Sequence, residues 1–76
     1  MKVKFTNHAQ ANLLGRGITA SRVVDTLRSP DSTGAAFEGK SKARKKFGNK
    51  TLEVVYLKEK SKDKKGEYLV ITGYYL

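Results

Sequence analysis

Four cations alternate along one short run. Lys40, Lys42, Arg44 and Lys46 take every second position, with Ser41, Ala43, Lys45 and Phe47 between or after them. Successive side chains of an extended strand point to opposite faces, so the four share one face. A row of like charges repels itself unless an anion lies across it, and a phosphate backbone is the polyanion that fits a row. The competing reading is an edge strand kept soluble by lysine. Lys50, just past Gly48-Asn49, extends the same basic segment. Lys40, Lys42, Arg44, Lys46 and Lys50 are therefore the candidate nucleic-acid contacts.

The single histidine, His8, falls in the first turn of an expected helix. The helix dipole and free N–H groups there disfavour a proton on the ring. A neutral imidazole beside a basic face is what a general base for phosphodiester cleavage needs; a partly buried histidine closing a helix end is the plainer alternative. His8, Asn12 and Arg16 follow an i, i+4, i+8 stripe, so Arg16 approaches the same surface and can hold a phosphate through two N–H groups. An ordinary ion pair is the other role for Arg16. Tyr74 and Tyr75 end the last strand with rings on opposite faces, one finishing the core. The other, or Tyr56 or Tyr68, lies on the open face to stack a base or donate a proton. Thr72 is either a plain strand residue or a hydroxyl donor aimed at the same place.

Composition excludes several other chemistries. The chain has 76 residues, one small domain over 1–76, with 16 Lys+Arg against 7 Asp+Glu and a net charge of +9. Residues 38–50 hold six cations against Glu38, so over half of that charge lies in thirteen positions. Without cysteine there is no disulfide, thiolate metal site or cysteine nucleophile, and one histidine cannot build a His-cluster zinc site. No cofactor or metal is expected. Gly15-Arg16-Gly17 is too short for a phosphate loop and sits between helices. Neither paired carboxylates nor a nucleophilic serine motif stands out. The second helix, with Arg22 and Arg28 around Asp25, is poorly suited to a DNA groove. No run approaches the ~18 apolar residues of a membrane span, and Met1-Lys2-Val3-Lys4 lacks an apolar signal core. A cytoplasmic location away from membranes is expected.

The elements that must position these groups are α+β. Val3-Lys4-Phe5 reads as a strand, Thr6 as an N-cap, and Asn7 to Leu14 as a helix ended by Gly15 and Gly17. Thr19 caps a second helix whose Ala20, Val23, Val24 and Leu27 form an apolar stripe, stopped by Pro30. Asp31-Ser32-Thr33-Gly34 is turn material, and Ala35-Ala36-Phe37-Glu38 a weak strand broken by Gly39. Lys40–Phe47, Leu52–Leu57 and Tyr68–Thr72 follow as strands, with a charged hairpin loop over 58–67. The expected architecture is strand-helix-helix followed by a three- or four-stranded antiparallel sheet. Both helices cover one face and the other stays open.

His8-Ala9, Arg16-Gly17-Ile18-Thr19 and Val23…Leu27…Pro30 resemble the helical half of domain-of-unknown-function family 4258. Phe47-Gly48…Leu52-Glu53-Val54-Val55 and Val70-Ile71-Thr72-Gly73-Tyr74 resemble its strand pair. The resemblance covers nearly the whole chain, and its most specific element is the spacing from His-Ala to Arg-Gly-Ile. The family usually carries an arginine where this chain has Asn12. The family is similar to the RelE-type toxin ribonucleases, and the resemblance implies a RelE-like fold and metal-independent RNA cleavage. By matching position it implies His8, Arg16, Lys46, Thr72 and Tyr74 as site residues.

These readings lead to an RNA-directed protein of the toxin-ribonuclease type, acting on RNA that is free or ribosome-associated. His8 would take the 2′-hydroxyl proton, while Arg16 and Lys46, helped by Lys42 or Arg44, would stabilise charge on the phosphate. Tyr74 or a water would protonate the leaving oxygen. An acidic antitoxin would cover the basic face. The alternatives are a non-catalytic nucleic-acid-binding module, or a basic docking domain for an acidic protein, on the same fold.

Overall fold

Thr6 and Thr19 each start a helix by giving a side-chain oxygen to an otherwise unpaired backbone N–H. Thr6 Oγ1 accepts from Ala9 N at 3.0 Å, and Thr19 Oγ1 from Arg22 N at 3.2 Å. In the computed structural model, which describes residues 1–59 and 66–76, these helices are α1 (Asn7–Gly15) and α2 (Ala20–Arg28). They lie between strand β1 (Lys2–Phe5) and strands β2 (Ser32–Ala35), β3 (Ser41–Phe47), β4 (Lys50–Glu59) and β5 (Glu67–Tyr75). The hairpin loop expected over 58–67 falls largely outside the described residues, since β4 runs on to Glu59 and β5 begins at Glu67.

The fold is α+β, with both helices on one face, but the sheet differs from expectation. It has five strands in the order β1-β5-β4-β3-β2 and is mixed, not three- or four-stranded and antiparallel. β1 runs parallel to β5, from Lys2↔Glu67 to Phe5↔Val70. Pairing the first strand with the last is a non-local choice, and no local signal in Val3-Lys4-Phe5 sets its direction. Ser32-Thr33-Gly34, expected as a turn, forms β2 by pairing with the outer edge of β3, from Ser32↔Arg44 to Ala35↔Ser41. The free N–H and C=O groups of that edge override the turn preference of small polar residues. The weak strand expected over Ala35–Glu38 survives only at Ala35, because Phe37–Gly39 turn through a short 3-10 segment with Glu38 at φ 53.

Alternation along β3 and β4 separates the two faces. Ala43, Leu52, Val54 and Tyr56 pack under the helices with Ala9, Leu13, Ile18, Val23, Leu27 and Val70. Burial of each large aliphatic side chain contributes about 1.5–3 kcal/mol. On α2 the inward stripe is Val23, Thr26 and Leu27, rotated from the expected one, and Ala20 is exposed. Thr26 tolerates burial because its hydroxyl donates to Arg22 O at 2.8 Å. Gly48, at φ +64, makes the tight β3–β4 turn that sets the hairpin register.

A bulge in β5 decides what the open face carries. Tyr56 pairs with Val70 but Val55 pairs with Thr72, so Ile71 is an extra residue in the ladder. Tyr68 and Val70 belong to the core. Without the bulge, residues 72 and 74 would follow them inward. With it, Thr72 and Tyr74 turn out beside Val55 and Glu53, and Gly73 and Tyr75 turn in.

Candidate functional site on the open face of the sheet

The hairpin register fixes the rows of this face. Lys42 stands opposite Val55 and Thr72, and Arg44 opposite Glu53 and Tyr74. Lys46 stands opposite Thr51, one step nearer the β3–β4 turn. At the centre is Glu53, a carboxylate only 5% exposed. Arg44 Nε donates to its Oε1 at 2.7 Å, and the Tyr74 hydroxyl donates to its Oε2. Burial pushes the Glu53 carboxyl up, yet the bonds from Tyr74 and Arg44 and the charges of Arg44 and Lys42 outweigh it, leaving the group below its usual range. The bond to Glu53, burial and the Glu53 charge raise Tyr74 above its ordinary value, so its phenol stays protonated at neutral pH.

Arg16 enters this face around the sheet edge. β1 pairs with β5 only as far as Val70, so the later part of β5 has no strand neighbour on that side. The C-terminal end of α1 lies there instead. Arg16 Nη1 donates to Gly73 O at 2.8 Å and to Thr72 Oγ1 at 3.3 Å, and the guanidinium carbon sits 6.0 Å from the centre of the Tyr74 ring. The helix comes this close because residue 73 is glycine; a Cβ there would meet Leu13 Cδ2 at 2.9 Å. Arg16, Thr72, Tyr74, Glu53, Arg44 and Lys42 thus form one continuous group across three strands.

The remaining predicted residues are distributed differently. His8 is exposed on α1, where Asn12 Nδ2 donates to its Nε2 at 2.7 Å. That bond occupies the ring's acceptor nitrogen, and among the described residues no hydrogen bond joins the imidazole to the sheet. Lys46 shares the open face but stands ~10 Å across and ~13 Å along the sheet from Thr72, judged by strand spacing and rise. Its backbone N donates to Asp31 Oδ2 at 2.8 Å. Lys40 precedes β3, pairs with Glu38 at 3.3 Å and covers the Phe37 ring. Lys50 shares the phase of Leu52 and Val54, so it faces the helix side, with Nζ 5.3 Å from the Tyr75 ring. Lys45, also on that side, donates to Ser29 O at 2.8 Å. Tyr56 and Tyr68 pack with each other on the core face, centroids 5.3 Å apart.

Sequence reasoning missed Glu53. The signal was available: a lone carboxylate interrupts the apolar run Leu52–Leu57, and a two-residue turn at Gly48-Asn49 places it opposite Arg44. Ser32, Thr33, Lys42 and Arg44 line a depression of about 180 Å³ on this face. A larger apolar groove of about 560 Å³ runs from Phe5 along Leu13 and Leu14 to Ile18 on the helix side, with no charged residue in its lining. No group of three or more metal-ligating side chains occurs among the described residues, and no helix among them is long and apolar enough to cross a membrane. Comparison with known protein families, curated proteins and solved structures finds no match to this chain.

Proposed function

We propose that the open sheet face binds the phosphate backbone of single-stranded RNA. The observation that carries this reading is the gathering of Arg16, Lys42, Arg44 and Lys46 on a face that no helix covers, around a single buried carboxylate. Glu53 and the Asp31 carboxylate beside Lys46 cannot together neutralise four cations, and a phosphate chain can. The Tyr74 ring beneath Arg16 adds a flat surface on which a base can stack. The resemblance to small toxin ribonucleases and the net charge of +9 favour RNA as the polyanion.

A second reading, metal-independent cleavage on the same face, is favoured by the Tyr74 hydroxyl. It is a protonated phenol whose ring lies 6.0 Å from the Arg16 guanidinium and whose hydroxyl shares the Glu53 carboxylate with Arg44. There it would protonate a leaving oxygen while the guanidiniums hold the phosphate charge. Binding ranks first because both candidate bases are already engaged, His8 Nε2 by Asn12 and the two Glu53 oxygens by Arg44 and Tyr74. An acidic antitoxin seated on the same cations belongs with the second reading.

The test titrates labelled oligo-uridylate with the wild type and with a Lys42→Glu/Lys46→Glu variant across a salt series. The wild type is expected to bind with an affinity that falls steeply with salt, and the variant to lose most of it. Equal binding by both would refute the reading. Incubating RNA with wild type, Tyr74→Phe and His8→Ala in chelator separates the two readings. Scission by the wild type, lost in Tyr74→Phe, would put cleavage first.

A further inference from the structure

Three side-chain contacts and one hairpin pairing link four residues on the helix side of the sheet, at the β3–β4 turn. Arg22 of α2 donates from Nη1 to the Tyr75 hydroxyl at 2.6 Å, and its guanidinium lies 4.9 Å from the centre of the Phe47 ring. Lys50 stands opposite Phe47 in the hairpin and holds its ammonium 5.3 Å from the Tyr75 ring. Two cations thus share two aromatic rings from one helix and three strands. Both cations are exposed, and among the described residues neither forms an ion pair.

A ring face attracts a cation, but two cations on neighbouring rings also repel each other. The cluster has no carboxylate paired to either cation among the described residues, so this repulsion is uncompensated within it. It is also not isolated from the open face. Lys46 and Phe47 are consecutive residues pointing to opposite faces, and Phe47 and Lys50 flank the two-residue turn. A chain leaving Lys46 has only the edge of a single hairpin to pass before it meets Lys50 and Arg22.

We propose that the Arg22–Phe47–Lys50–Tyr75 cluster is a second contact site for single-stranded RNA, engaged by a strand that leaves the open face at Lys46 and passes around the β3–β4 turn. Lys50 and Arg22 contact phosphates there, and the parts of the Phe47 and Tyr75 rings left exposed by the core and the two cations offer edges for a base. The inference rests on the proposed binding of RNA by the open face. It adds that the bound length exceeds what that face alone accommodates.

The experiment compares a short oligo-uridylate of about 4 nucleotides with a long one of about 12, spanning the site sizes typical of single-strand-binding folds. Wild type, Lys50→Glu and Arg28→Glu are measured by fluorescence anisotropy in a salt series, with thermal melts confirming that each is folded. Arg28→Glu makes the same charge change at an exposed helix position that belongs to neither cluster. Lys50→Glu is expected to weaken the long probe about tenfold and to leave the short probe within about twofold of wild type. Its salt slope on the long probe should become shallower by about 0.7 for each phosphate the protein no longer neutralises. Arg28→Glu is expected to shift both probes slightly and equally. If Lys50→Glu matches Arg28→Glu, or weakens both probes to the same degree, the second site is refuted while the open face still stands. If wild type binds neither probe, the open-face reading fails and takes this inference with it.

Discussion

Glu53→Gln tests the centre of the site, because it moves stability and binding in opposite directions. The side chain keeps its shape and loses its charge. In the wild type it accepts two bonds, one from the Arg44 guanidinium and one from the Tyr74 hydroxyl, at a position 5% exposed. A hydrogen bond to a charged group contributes about 1 kcal/mol more than a neutral one. Since the Arg44 side chain is 41% exposed, its share is screened. The expected loss at neutral pH is then about 1–2 kcal/mol, or roughly 4–16 °C in Tm for a domain this small. Arg44 becomes free for phosphate at the same time, so RNA affinity should rise and the salt slope steepen by about 0.7. The pH dependence follows from the depressed Glu53 carboxyl. Its contribution is fully present above the ordinary carboxylate value of 4.5 and is lost as pH falls through the lower folded value. Wild type and variant should therefore differ in melting at neutral pH and converge in acid. A Gln variant equally stable at pH 7, or one that binds RNA more weakly, would refute the assignment of Glu53 as the internal counter-ion of this face.

Gly73→Ala places a methyl 2.9 Å from Leu13 Cδ2, so the buried Leu13 side chain must shift against its core neighbours; the expected cost is about 1–3 kcal/mol by chemical denaturation, and Leu13→Ala in the same chain should show favourable coupling in a double-mutant cycle. Arg16→Lys keeps the charge but loses the planar guanidinium, in which Nη1 donates to both Gly73 O and Thr72 Oγ1 while the other N–H groups are left to hold a phosphate. It should therefore lower RNA affinity nearly as much as Arg16→Ala in the anisotropy assay, and equal affinity of Arg16→Lys and wild type would oppose this. Leu52→Ala, at a fully buried core position, should cost about 2–5 kcal/mol in the same denaturation series without changing the salt slope of RNA binding.

Local signals carried most of the fold. Thr6 and Thr19 cap their helices as the sequence implies, and the alternation from Lys42 to Lys46 survives as one face of β3. The opposite orientations of Tyr74 and Tyr75 were equally legible, because adjacent strand residues must diverge. What was hidden depends on pairing between distant segments. The parallel docking of β1 on β5, and the recruitment of Ser32–Ala35 to the edge of β3, leave no mark on the residues themselves. At the site, Arg16 was legible as a cation on the His8 side of α1, but its placement required the exposed edge of β5 beyond Val70. Lys50 was grouped with its basic neighbours by proximity in sequence, and the turn at Gly48-Asn49 carried it to the other face. His8 drew attention as the lone imidazole, while Asn12 four residues on satisfies the nitrogen that catalysis would use.

The extra residue at Ile71 gives β5 two independent grammars. Before it, odd and even positions obey one assignment of inside and outside; after it they obey the reverse. Shortening the strand by that residue would therefore do more than remove one side chain. It would drive a threonine and a tyrosine toward the helices and push a glycine and the last tyrosine into water. The interior and the open face would be exchanged along the final part of the strand. Homologous chains that present threonine and tyrosine on this open face should keep the offset even where every neighbouring letter has changed.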